Sequence, residues 1–170
     1  MYRVLGDVPK KKAFKSKLRG KLAAIEKKIS KELGTGSYSP DEVPRSPLVK
    51  QILALPDADR RAILLSLCDR IAWLRTQDAH AWHAEEILRW SMAGKRLAWT
   101  KDDVERMMAV AKKLGKEAFY LPLARIVPLV ENVETISPSL RASIKALGKE
   151  MRKWESVSHH RLAKRLSALL

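Results

Sequence analysis

His80, His83 and Glu86 step by three along HAWHAEE, so a helix there would carry two imidazoles and a carboxylate on one face. That donor set suits zinc or iron. The HExxH pattern of zinc peptidases is absent, because no Glu follows the first His and the second lies three residues on rather than four. Histidines serving a surface or a core account for the stretch more simply. No metal and no cofactor are therefore expected, and His80, His83 and Glu86 stand as the ligands to test should one bind. His159-His160 suits a helix start among basic residues. Cys68, the single cysteine, lies inside an apolar stripe with no His or Asn near it in sequence, which reads as a buried structural thiol. Gly34-Thr35-Gly36-Ser37 lacks the GxxxxGK[ST] spacing of a phosphate loop, and no strand precedes it. No Ser or Cys nucleophile motif is present. Catalysis is not expected. A metal-dependent enzyme acting on nucleic acid is the enzymatic alternative.

Charge is the stronger chemical signal. The chain carries 34 Lys and Arg against 19 Asp and Glu, a net charge of +15. Residues 1–33 hold eleven basic against three acidic residues, and residues 141–170 hold eight against two. The stretch between them is nearly neutral, with fifteen against fourteen. Clustering at both ends points to a polyanion rather than to general solubility. At the N-terminal end the candidate phosphate contacts are Lys10, Lys11, Lys12, Lys15, Arg19, Lys21, Lys27 and Lys28. At the other end they are Lys149, Arg152, Lys153, Arg161, Lys164 and Arg165. Such contacts are sequence-independent and weaken steeply with salt.

Aromatic residues add an alternative. Trp73, Trp82, Trp90 and Trp99 crowd one region, where exposed rings would stack unpaired bases and buried ones would wedge helices apart. The balanced charge around them favours the wedge, with Trp82 and Trp90 on nearly one face.

The elements that must position these residues are helical throughout. Phe14, Leu18, Leu22, Ile25, Ile29 and Leu33 step by four or three, predicting one long basic amphipathic helix over Lys10–Leu33, closed by Gly34, with Gly20 weakening its middle. Gly34 to Pro47 is rich in Gly, Ser and Pro and reads as a linker. Ser46-Pro47 opens a short helix that ends before Pro56. An apolar helix follows from Asp57 to Leu74, and a second from Thr76 or Asp78 to the Gly94 region. Thr100 caps the next helix with Asp103 reaching back, and Gly115 offers its stop. Its partner covers Phe119 to Val133, where Pro128 should kink or break it. Ser137-Pro138 opens a helix carrying Leu140, Ile144, Leu147, Met151 and Trp154 in a 4-3-4-3 seam, which also fits a partner chain. Leu162, Leu166, Leu169 and Leu170 close the sequence: either the last helix docks well or a further piece follows.

Aligned at their caps, the helices starting at Asp57, Thr100 and Ser137 superimpose Leu64, Met107 and Ile144, with cap-to-cap distances of 43 and 37 residues. Leu-Gly-Lys-Glu recurs at 114–117 and 147–150, a competing register of 33. Over residues 57–170 these unit lengths resemble HEAT and armadillo repeats, in architecture alone. The resemblance implies helix pairs stacked into a superhelix with a concave binding face. A compact bundle is the alternative.

The expected organisation is all-α: a basic N-terminal helix over 1–33, a linker over 34–47 and a helical-repeat domain over 48–170. The expected function is a non-catalytic module whose basic terminal helices contact nucleic acid, DNA or RNA, through phosphates. The alternative is a protein-interaction scaffold that grips an acidic or apolar partner. One cysteine, no secretory signal and no apolar run long enough to span a membrane point to the cytoplasm.

Overall fold

A computed structural model describes residues 14–34, 39–76, 81–93, 97–114 and 120–170, and these form eight α-helices with no strand among them. In chain order they are α1 (Gly20–Gly34), α2 (Pro47–Leu53), α3 (Asp57–Thr76), α4 (Trp82–Ser91), α5 (Lys101–Leu114), α6 (Tyr120–Glu131), α7 (Pro138–Met151) and α8 (Val157–Ser167). Three starts use side-chain caps. Ser46 Oγ accepts from the amides of Leu48 and Val49 at 3.1 and 3.3 Å, and Ser137 Oγ accepts from Leu140 N at 3.0 Å. Thr100 and Asp103 form a reciprocal box: Asp103 N donates to Thr100 Oγ1 at 3.2 Å, and Thr100 N donates to Asp103 Oδ2 at 3.1 Å.

Three boundaries differ from the sequence expectation. Residues 14–19 are not helical, and α1 begins at Gly20 rather than Lys10. Gly20 has φ +57, a left-handed turn into the helix that costs other L-residues about 1–2 kcal/mol, so it starts the helix instead of weakening its middle. α4 begins only at Trp82, with Ala81 outside it. α6 runs through Pro128 without breaking. It ends three residues later, so the missing N–H falls in the last turn, where Asn132 Nδ2 donates to Pro128 O at 2.6 Å.

The helices form two layers of consecutive hairpins. α1, α3, α5 and α7 pack side by side in one layer, and α2, α4, α6 and α8 do so in the other. Ion pairs give the direction. Lys21–Asp59 (2.5 Å) joins the first turns of α1 and α3, and Arg61–Asp103 (3.6 Å) joins those of α3 and α5. Arg165–Glu131 (2.5 Å) joins the last turns of α8 and α6. Helices within a layer are therefore parallel, so the ends of α1, α3, α5 and α7 share one edge of the array, the hairpin edge, with the starts of α2, α4, α6 and α8. Between layers, buried Arg60 donates to Ser91 O (3.0 and 2.8 Å) and Ala93 O (2.6 Å), closing the C-terminus of α4 from the start of α3.

One apolar cluster runs from Ile25 to Leu166. Ile25 and Ile29 of α1 belong to it, and Val43, inside the stretch read as a linker, is buried in a 3₁₀ turn (Val43–Arg45) against α2 and α4. A buried ion pair also fastens α1: Arg70 of α3 meets Glu26 at 2.5 Å, Ser66 Oγ donates to the same carboxylate, and the Phe14 ring lies 4.4 Å from the guanidinium.

The seam offered to a partner chain is consumed internally. Leu140, Ile144, Leu147 and Met151 are buried between α5, α7 and α8, and the Trp154 ring meets His159 in a tilted contact, centroids 4.2 Å apart. The sequence already contains the helices that cover it. α5 and α7 start at Lys101 and Pro138, 37 residues apart; Gly148 lies inside α7, and Gly115 lies outside the described residues.

Candidate nucleic-acid interface

The apolar side of α7 faces the core, so its polar side is fixed by helical geometry. Arg141, Lys145 and Lys149 follow at every fourth residue and Arg152 three further on, all exposed. They make a cationic stripe about 16 Å long at 1.5 Å per residue. α8 continues it: Leu162, Ala163 and Leu166 are buried, while His160, Arg161, Lys164 and Arg165 are exposed. Among the described residues no other helix packs over these side chains. Of the residues proposed at this end, Lys149, Arg152, Lys153, Arg161, Lys164 and Arg165 are all exposed, with Arg165 on the side of α8 that meets α6. Arg141 and Lys145 were missed. Their four-residue spacing from Lys149 was the signal, and it becomes a face only once the seam of α7 is known to turn inward.

Several of these cations have internal partners. Arg165 grips Glu131 with two hydrogen bonds, 2.7 and 2.5 Å, which hold the Glu131 carboxyl below its ordinary range and raise the Arg165 guanidinium. Lys153 meets Glu150 at 2.7 Å, Arg152 donates to Ser167 Oγ, and Arg141 donates to Leu170 O at 3.2 Å. Lys145, Lys149, Arg161 and Lys164 have no carboxylate partner among the described residues. Exposed pairs are worth about 0–1 kcal/mol, so a phosphate can compete for the paired cations as well.

At the other end, Lys10, Lys11 and Lys12 lie outside the described residues. Lys15 and Arg19 are exposed on the non-helical segment before α1. Lys27 is exposed, Lys28 Nζ donates to Gln51 Oε1 at 2.8 Å, and Lys21 is held by Asp59. The two basic ends are not brought together: α1 opens the array and α7–α8 close it.

The metal candidates divide. His80 lies outside the described residues. His83 Nε2 turns to Glu32 at 3.3 Å, whereas Glu86 accepts from Trp90 Nε1 at 2.9 Å and meets Arg89 at 3.5 Å. Among the described residues no three His, Cys, Asp or Glu side chains are grouped to hold a metal. Cys68 is wholly buried; burial, with Asp69 beside it and Arg106 opposing, pushes its thiol up to about 12. Glu85 is buried, and that burial raises its pKa against the hydrogen bond and charge of Arg75.

The tryptophans also divide. Trp90 and Trp99 pack against the core, and Trp73 meets Phe14 at 5.8 Å. Trp82 is 54% exposed. It was grouped with Trp90, but α4 starts at Trp82 itself, and the core takes Ala81, Ala84, Ile87 and Leu88 instead. An open cleft of about 590 Å³ lies on the edge opposite the hairpin turns, lined chiefly by Leu97, Trp99, Val104, Leu129 and Val133.

No protein-family model, curated protein or solved structure matches this chain. Among the described residues no helix is long and apolar enough to cross a membrane.

Proposed function

We propose that this protein is a non-catalytic helical-repeat module of the cytoplasm that contacts nucleic acid through phosphates, using the cationic face of α7 and α8 together with the basic N-terminal end. The observation that carries the reading is the α7 stripe: Arg141, Lys145, Lys149 and Arg152 are exposed in line, with Arg161 and Lys164 beside them on α8. Single phosphates engage such residues without reading base edges, so binding is sequence-independent. It needs no cofactor.

The test is titration of labelled single- and double-stranded oligonucleotides across salt concentrations. If Arg141, Lys145, Lys149, Arg161 and Lys164 each meet one phosphate, log K falls against log salt with a slope of about −4.5 for duplex or about −3.5 for single strands. Changing Lys145→Gln and Lys149→Gln together removes about 1.8 or 1.4 from those slopes. Absence of binding at low salt refutes the reading. A second reading, a scaffold for an apolar partner segment, is favoured by the Trp99 cleft of about 590 Å³, a volume within the range of ligand sites. Capture of a protein partner that survives nuclease treatment and is lost on Trp99→Ala would select it.

A further inference from the structure

Among the described residues Trp82 is the largest exposed side chain, at 54% exposure. Its orientation is nonetheless supported. The Arg75 guanidinium lies 5.8 Å from the ring centroid, and Arg75 is itself tied to the buried carboxylate of Glu85 at 2.7 Å. A cation held over one aromatic face steadies the ring and leaves its other face available. Among the described residues no hydrogen bond involves the Trp82 indole, and the neighbouring positions that enter the core are Ala81 and Ala84.

The location matters as much as the exposure. Trp82 begins α4 and Arg75 lies in the last turn of α3, so both stand on the edge where α3, α5 and α7 end. Along that edge the next hairpin presents exposed Lys112 at the end of α5, and the one after presents Lys149, Arg152, Lys153 and Arg161 around the α7–α8 turn. Neighbouring helices are spaced by about 8–10 Å, so the aromatic ring and the basic turn lie about 16–20 Å apart. A few nucleotides of extended strand span such a gap. An aromatic platform in line with a cationic track is the arrangement that binds unpaired strands: phosphates follow the charges while a base stacks on the ring. A duplex keeps its bases stacked internally and offers nothing to Trp82.

We propose that the preferred ligand is single-stranded nucleic acid lying along the hairpin-turn edge, with one base stacked on Trp82 and phosphates on Lys112, Lys149, Arg152 and Arg161. This rests on the nucleic-acid reading above and adds to it the strandedness and the base-contacting residue.

The experiment compares wild type, Trp82→Ala and Trp82→Phe on three labelled probes: a short oligothymidylate, an abasic strand of the same length and a duplex. Stacking of one base is worth about 1–3 kcal/mol, so Trp82→Ala weakens oligothymidylate binding by about 5- to 150-fold. Trp82→Phe recovers most of that loss, and the abasic and duplex affinities do not move. Oligothymidylate affinity unchanged in Trp82→Ala, with salt-dependent binding intact, overturns the stacking site and leaves the phosphate-binding reading standing. An equal loss on all three probes overturns it too, because a stacking residue cannot act on an abasic strand. Binding of none of the probes by the wild type removes both proposals. Since Trp82 is exposed, helical circular dichroism of the variants matches that of the wild type.

Discussion

Replacing Glu26 by Ala tests how the basic first helix is held. Glu26 is 3% exposed and accepts from Arg70 at 2.5 Å and from Ser66. Its removal leaves a guanidinium only 7% exposed without a carboxylate. Breaking one side of a buried ion pair costs about 3–5 kcal/mol, chiefly through the stranded charge. The Phe14 ring, 4.4 Å from the same guanidinium, returns about 0.5–2 kcal/mol, which sets the expectation at the lower end, near 3 kcal/mol. For a chain of this length each kcal/mol moves the melting midpoint by about 2–4 °C, so Glu26→Ala lowers it by roughly 6–12 °C. The double variant Glu26→Leu with Arg70→Met removes both charges and fills the volume, and regains most or all of the loss. Urea unfolding followed by circular dichroism measures all three proteins. A single variant within about 1 kcal/mol of wild type, or a double variant as unstable as the single, refutes the assignment of a stranded charge.

Two further outcomes follow from burial. His159 is buried against Trp154, and desolvation, with His160 adjacent, lowers its pKa. The unfolded chain therefore binds its proton more readily than the folded one. Its contribution to stability is complete above the unfolded value near 6.5 and is lost as pH falls from there towards the folded pKa. Urea midpoints between pH 7 and pH 5 should fall less in His159→Phe, which keeps a ring against Trp154, than in wild type; equal falls refute the assignment. Cys68, with its thiol pushed up to about 12 and no exposed surface, should resist alkylation in the folded protein and react fully in denaturant. Prompt labelling of the native protein, followed by mass spectrometry, would contradict its place in the core.

Much of the fold was legible because its signals are local. Ser46, Thr100 and Ser137 announce helix starts through their own hydroxyls and the amides two or three residues on, and each does so in the structure. The apolar steps at Ile63, Leu64, Leu67 and Ile71, and at Val104, Met107, Met108 and Ala111, mark buried sides that are indeed buried. The cationic face was half legible. Lys149, Arg152, Arg161 and Lys164 were evident as a basic run, whereas Arg141 and Lys145 join them only once the seam of α7 is known to face inward. The N-terminal helix was overread. Phe14 and Leu18 continue the apolar period, yet Phe14 lies over Arg70 and Leu18 packs against the core from a non-helical segment.

Composition, caps and periodicity were enough to establish an all-helical chain with basic ends, because each of those properties is set within a few residues of sequence. The three-dimensional packing alone decided that the 140–154 seam is covered by α5 and α8, that Glu26 pairs with Arg70, and that Trp82 stays outside while Trp90 packs inside. Those outcomes depend on which distant side chain reaches a given surface first, and burial then makes an unsatisfied charge or an uncovered apolar face too costly to leave.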